Sequence, residues 1–224
     1  MENIIKDIER MIKDIGNNNI PIFIELLGTP NSGKTSALKT LEKILKRNNV
    51  KHKIVYELAD KCKIKNKLSP EFNLWTLNET LNQLLEIAEK KYTIIICERG
   101  LLDSICWFYL HLRNKTISNE AFESIVSYLS LNKYSKFRGY SFILKCDVQT
   151  SIKRENVDDL LEIKGSIVNS KILTEYNTSL ETVKNKYSNL FSEITEIDTS
   201  NLNQSDINKK LVYYILNYLS RNMQ

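Results

Sequence analysis

Gly28-Thr29-Pro30-Asn31-Ser32-Gly33-Lys34-Thr35 is the stretch on which the fold turns. It matches the spacing G-x-x-x-x-G-K-[ST] and follows directly on Ile20 to Leu27, a short, nearly continuous apolar run. Such a run marks a strand covered on both faces, and Ala37 to Leu45 beyond the loop reads as a helix. Strand, glycine loop and helix in that order make a phosphate cradle. Gly28 and Gly33 let successive backbone N–H groups face inward, and the helix N-terminus adds partial positive charge. Lys34 supplies the cation for the β- and γ-phosphates, and the Thr35 hydroxyl is a hard oxygen ligand for Mg²⁺. The loop thus predicts a site for a nucleoside triphosphate with Mg²⁺ on Gly28, Asn31, Ser32, Gly33, Lys34, Thr35 and Ser36.

Working outward, the alternation continues. His52 to Leu58 reads as a strand, Leu74 to Lys90 as a helix, Tyr92 to Cys97 as a buried strand and Leu101 to Leu112 as a helix. Tyr140 to Cys146 and Glu193 to Ile197 supply two further strands. Parallel neighbours need right-handed crossovers, so this order predicts an α/β chain of the three-layer P-loop NTPase fold, a five-stranded parallel sheet with helices on both faces. Before the first strand, Ile4, Ile5, Ile8, Met11, Ile12 and Ile15 recur at helical spacing, which predicts an amphipathic helix within residues 1–16. No internal repeat, low-complexity tract or Pro-rich linker interrupts the chain, and one domain over 1–224 is expected.

Length and composition agree with that reading. A chain of 224 residues buries roughly 70% of its unfolded surface without disulfides or structural metals. With 42% hydrophobic and 26% charged residues it is neither disordered nor fibrous. The net charge of +5 suits anionic ligands, but the lysines are scattered and no basic arm appears, so nucleic acid binding is allowed without being indicated. Cys62, Cys97, Cys106 and Cys146 form no C-x-x-C pair and read as free thiols. Early acids spoil a signal peptide and no apolar run reaches membrane-spanning length, so a cytoplasmic protein that does not enter a membrane is expected.

Acids at the strand ends carry the next step. Thr93-Ile94-Ile95-Ile96-Cys97-Glu98 ends in a carboxylate, followed at once by Arg99 and Gly100. Ligands of a parallel sheet gather beyond its carboxyl ends, so Glu98 and Arg99 should stand beside the phosphate loop. Glu98 can hold Mg²⁺ through water or contact the acceptor, and Arg99 can steady the transferred phosphoryl or an anionic group of the acceptor. Val55-Tyr56-Glu57 closes the neighbouring strand in the same way, where Glu57 could take a proton from an attacking hydroxyl. His52 and His111 have no partner at catalytic or metal spacing and read as structural or solvated.

Taken together these residues resemble the thymidylate-kinase-like and deoxynucleoside-kinase-like branch of the P-loop kinases, from Ile20 to about Leu216. The run Glu98-Arg99-Gly100-Leu101-Leu102-Asp103-Ser104-Ile105-Cys106-Trp107 is similar to a D-R-G-x-x-D-x-x-x-W run in predicted kinases, with Glu98 in place of Asp. The resemblance implies catalytic roles for Lys34, Glu57, Glu98, Arg99 and Arg154, Mg²⁺ on Thr35 and Glu98, and acceptor contacts at Glu57, Phe72, Asn73, Trp75, Arg99 and Asp103. Phe72 and Trp75 could stack on a base while Asn73 reads its edge, although aromatics at a helix start also serve as core. It further implies a small helical lid at about 150–175, with Lys153 and Arg154 as lid cations and Gly165 to Asn169 within it. This lid is poor in arginine, with Arg154 alone between Arg138 and Arg221. Ile197-Asp198-Thr199-Ser200 falls where relatives flank the nucleotide base, and also suits a helix cap.

The resemblance implies an ATP-dependent kinase of a nucleoside or nucleoside monophosphate. A nucleotide sugar or a polynucleotide end is the alternative acceptor, and a nucleotide-gated regulatory protein without an acceptor is the contrasting class. A homodimer is compatible with the sequence, which does not choose between ATP and GTP.

Overall fold

The computed structural model describes residues 21–157 and 169–221. The amphipathic helix expected within 1–16 and residues 158–168 of the expected lid lie outside the described residues.

The central strand, β1 (Ile22–Gly28), pairs in parallel with β3 (Ile94–Glu98) on one side and β4 (Tyr140–Lys145) on the other. Outside them lie β2 (His52–Val55) and β5 (Glu193–Asp198), giving the all-parallel order β2-β3-β1-β4-β5. The register aligns Leu26 with Glu98, so the acid ending β3 stands two residues before the loop that ends β1. Strand β2 stops at Val55, three residues short of the expected end, because its ladder with β3 runs only from His52 to Val55. Glu57 therefore lies on the loop beyond the strand.

Helices cover both faces. On one side α1 (Lys34–Arg47) and α7 (Gln204–Arg221) close over Ile24, Leu26, Ile96 and Phe142. On the other, α2 (Pro70–Ala88), α3 (Leu101–Arg113), α4 (Asn119–Leu129) and α6 (Ser170–Tyr187) close over Phe23, Leu27, Ile95 and Ile143. The alternation of β1 follows from its period of two, with each inward residue burying an apolar side chain against one helical layer. Glu25 shares the face of Phe23 and Leu27, and is a carboxylate where a third apolar side chain is expected.

Helix α2 starts at Pro70, four residues before the sequence expectation, because Ser69 caps it by accepting from the Phe72 N–H and Pro70 supplies a preset φ at its first position. α5 (Val148–Val157) covers the start of the expected lid, and α6 begins at Ser170, within the range expected for it, with Asn169 as its cap. Among the described residues no helix is long and apolar enough to cross a membrane. The four cysteines are free, with Cys97, Cys106 and Cys146 buried.

Candidate active site

The phosphate loop joins β1 to α1 and has the backbone its glycines allow. Gly28 has φ 128, and a side chain there would put Cβ 2.1 Å from the Leu144 carbonyl oxygen on β4. Gly33 has φ 89 and Asn31, at the tip, φ 57. Lys34 is buried and folds back into the loop, donating to the Gly28 and Thr29 carbonyls at 3.1 and 2.8 Å and to Ser32 Oγ at 3.4 Å. Burial lowers its pKa from 10.5 to about 8, with Arg99 adding to the effect and the Glu57 and Glu98 carboxylates opposing it. An ammonium held among loop carbonyls in this way is a cation kept for an anion.

Thr35 Oγ1 lies 2.5 Å from Glu98 Oε1, and Glu98 is buried at the end of β3. A hydroxyl and a carboxylate converging beside a phosphate loop form the hard oxygen donor set that Mg²⁺ requires, so the residues present fit the ion. No group of three or more His, Cys, Asp or Glu side chains placed to hold a metal by themselves occurs among the described residues.

The tip of the loop is gripped by α5. Asn31 Nδ2 donates to Glu155 Oε2 at 2.6 Å and to the Ser151 carbonyl at 3.3 Å, while Ser151 Oγ donates to the Pro30 carbonyl at 2.8 Å. Arg154 donates to the carbonyls of Asn31, Thr199 and Leu202 at 3.1, 2.7 and 2.9 Å. Its guanidinium thus clips the phosphate loop to the segment after β5, and Lys153 and Arg154 both line the cleft.

Arg99 follows β3 in a left-handed backbone, φ 59, an uncommon conformation that surrounding structure must hold. The holding group is Glu25, whose carboxylate accepts the N–H groups of Gly100, Leu102 and Asp103 at 2.9, 3.1 and 2.9 Å. It caps the first turn of α3 from the neighbouring strand, satisfying donors that no α3 side chain reaches. Gly100 is needed because a Cβ there would lie 2.8 Å from Cδ of Glu25. With its backbone fixed, Arg99 reaches two carboxylates. Nε stands 2.9 Å from Glu57 Oε1, and Nη1 donates to Asp103 Oδ1 and Oδ2 at 3.2 and 3.4 Å. Asp103 Oδ1 also accepts the hydroxyl of Tyr176 from α6.

The electrostatics follow from these contacts. Partial burial works to raise the pKa of Glu57, whose side chain is 37% exposed, yet Arg99 and then Lys34 outweigh it and hold the carboxyl below its usual range. Burial raises Asp103, with Arg99 and the Tyr176 hydroxyl opposing. Arg99 is largely but not fully buried, and the Glu57 and Asp103 carboxylates outweigh that burial and hold its pKa well above the ordinary value.

Two cavities meet here. An open cleft of about 1400 Å³ is lined by Asn31, Gly33, Lys34, Thr35, Ser36 and Arg154 on the loop side, by Glu57, Glu98 and Arg99 at the strand ends, and by Ser200 to Gln204 after β5. A recess of about 50 Å³ lies beyond it, lined by Phe72, Asn73, Thr76, Thr80, Asp103 and Trp107. Glu57, Ala59, Lys67 and Arg99 border both.

Of the three acceptor residues that the resemblance implies on this stretch, Phe72 and Asn73 line the recess and Trp75 does not; Trp107 of α3 lines it instead. Helix geometry explains the exchange, since Phe72, Thr76 and Thr80 recur every four residues along one face of α2 and Trp75 lies off it. Likewise Arg99, Asp103 and Trp107 are spaced by four, a signal the sequence did contain. Asn73 Nδ2 is 2.8 Å from His111 Nε2, and His111 Nδ1 is 2.8 Å from Thr116 Oγ1, so the histidine is structural. Glu25, Thr80 and Tyr176 were not anticipated at all.

The sheet order and the phosphate loop define the fold of the P-loop kinases. No family model matches the chain, and no curated protein matches its sequence. Solved structures with the same fold include deoxyadenosine kinase from M. mycoides in three states. With the products dCMP and a flexible dCDP bound, it has a TM-score of 0.58 at 15% identity, covering 88% of this chain and 100% of that one. With dATP bound the values are 0.58 and 16%, covering 88% and 99%; with dCTP bound they are 0.59 and 15%, covering 88% and 100%. At such identity the likeness is one of fold.

Proposed function

We propose that this chain is a nucleoside kinase, moving the γ-phosphoryl of ATP to the hydroxyl of a nucleoside acceptor, with residues 1–224 acting as one domain. The observation that carries the reading is the Glu57–Arg99 pair on the border between the phosphate cleft and the small recess. A phosphotransferase needs a base and a cation where donor and acceptor meet. The fold shared with deoxyadenosine kinases that bind dATP and dCTP supports the same reading.

In this mechanism the loop amides and Lys34 hold the β- and γ-phosphates. Thr35 and Glu98 would hold Mg²⁺, which when bound neutralises charge on the phosphate oxygens. Glu57, kept ionised by Arg99 and Lys34, accepts the proton of the acceptor hydroxyl as its oxygen attacks the γ-phosphorus in line and the bond to the β-phosphate oxygen breaks. Arg99 lines the cleft beside Lys34 and supplies positive charge to the phosphoryl in transit. Phe72 and Trp107 flank the acceptor base. Because two carboxylates already balance Arg99, an uncharged nucleoside suits the site better than a nucleoside monophosphate. The free thiols suit a reducing compartment such as the cytoplasm.

The test is to incubate the purified chain with Mg²⁺, γ-labelled ATP and a panel of deoxynucleosides, nucleoside monophosphates, nucleotide sugars and short oligonucleotides, with Lys34→Ala as control. Label on a deoxynucleoside, lost in the control, is the expected result. Binding of ATP with no labelled acceptor would replace this reading with that of a nucleotide-gated protein.

A further inference from the structure

Helix α6 brings two neighbouring polar side chains into the site. Asn177 Oδ1 accepts from Thr29 Oγ1 of the phosphate loop at 2.9 Å, and Tyr176 donates its hydroxyl to Asp103. One turn of one helix therefore touches both the triphosphate side and the Arg99 side of the site. Nothing in the phosphotransfer chemistry calls for a phenol here, and Tyr176 is fully buried, too far inside to meet a ligand.

The geometry assigns it a different task. Its ring packs on Trp107 with centroids 4.6 Å apart, which fixes where the hydroxyl points. Asp103 is buried, and its Oδ1 accepts from both the Arg99 guanidinium and the Tyr176 phenol. The groups that act on its charge are Arg99 and Lys34, which favour it, and Glu57 and Glu25, which oppose it; the Cys97 and Cys106 thiols lie in the same surroundings. Burial and the Asp103 charge keep the phenol protonated, so it is a permanent donor. Without that donor, a buried carboxylate facing two others takes up a proton more readily and loosens its hold on the guanidinium.

We propose that Tyr176 is a positioning residue for Arg99: its hydroxyl, donated to the Asp103 oxygen that also accepts from the guanidinium, fixes that carboxylate and so holds Arg99 in place at the cleft. The kinetic consequence rests on the phosphotransfer reading above, whereas the placement of Arg99 does not.

The experiment follows the Arg99 side-chain Nε–Hε resonance of the ¹⁵N-labelled full chain from about pH 5 to 9. Tyr176→Phe removes one oxygen and leaves the ring on Trp107. We expect this resonance to move, and its pH-dependent change to begin at higher pH than in the wild type. Asp103→Asn is expected to shift the same signal and carries the test if Tyr176→Phe is recovered unfolded. Tyr187→Phe is the control, a buried tyrosine at the far end of the same helix, and it should leave the resonance in place. An Arg99 signal indifferent to both Tyr176→Phe and Asp103→Asn overturns the proposal, whatever the enzyme's activity. In the transfer assay Tyr176→Phe should lower kcat by about 10- to 100-fold and change KM for ATP by less than about twofold. A wild-type chain that labels no acceptor defeats the kinase reading alone. An active wild type matched in kcat by Tyr176→Phe defeats this one.

Discussion

Arg99 Nε stands 2.9 Å from Glu57 Oε1, although the two arrive on different segments, one just beyond β3 and the other on the loop after β2. Their ion pair holds Glu57 ionised at the border of the two cavities, where the proposed transfer would use a general base. Glu57→Gln keeps the shape and removes the proton acceptor. It should lower kcat by about 10²- to 10⁴-fold, the ordinary worth of general base catalysis, while ATP binding measured by calorimetry changes little. Unchanged turnover would take Glu57 out of the chemistry.

Lys34 gives nucleotide binding a pH dependence. With its pKa lowered to about 8, the side chain begins to lose its charge just above neutrality in the free protein, whereas bound phosphates favour the protonated form. Affinity for ATP should therefore hold steady below about pH 8 and fall by up to about tenfold per unit above it. Lys34→Ala should bind more weakly and show no such fall. A wild-type affinity flat to about pH 9.5 contradicts this account of the loop.

Glu25 makes stability depend on pH in the direction opposite to that of an ion-paired carboxylate. Burial raises its pKa from 4.5 to about 7, against the pull of the Asp103, Leu102 and Gly100 amides and with the Asp103 charge adding to the rise. As pH rises, the unfolded chain loses this proton first, so the stability Glu25 contributes is full below 4.5 and is lost as pH rises through about 7. The thermal midpoint of the wild type should thus fall more between about pH 5 and pH 8 than that of Glu25→Gln. Equal falls would show that Glu25 holds its proton no more tightly in the folded chain than in the unfolded one.

The parts of the site that sequence made legible are those in which the constraint acts over a few adjacent residues. The phosphate loop is one, since the turn at Gly28 and Gly33 and the cation at Lys34 fall within a single eight-residue spacing. The acid after each strand is another, because strand ends share an edge whatever the packing. Legibility fails where a residue acts across the fold. Glu25 lies in an apolar run, and only the docking of α3 on β1 turns it into a cap for Gly100, Leu102 and Asp103. Tyr176 is 73 residues from Asp103 in sequence, and its role exists only once α6 packs beside α3. The sequence predicts β2 too long because Tyr56 continues its β-prone pattern, while the hydrogen-bond ladder that defines the strand ends at Val55.

Trp107 and Trp75 are the two tryptophans of the chain, and they separate the proposed acceptor recess from its surroundings. Trp107 lines the recess and packs on Tyr176, whereas Trp75, half-buried on α2, is outside it. A nucleoside entering between Phe72 and Trp107 would stack on the indole and quench its emission, while Trp75 would sense nothing directly. Because the recess is about 50 Å³ without an acceptor, entry must also widen it, so the change in Trp107 emission should accompany a shift in its wavelength. Titration with the deoxynucleoside phosphorylated in the transfer assay should therefore change the emission of Trp75→Phe as fully as that of the wild type. Trp107→Phe should lose most of the signal and raise the acceptor KM by roughly 10-fold, about 1.4 kcal/mol of stacking. A signal that follows Trp75 instead would put the acceptor on the other face of α2 and return the base contact to the tryptophan that the sequence first suggested.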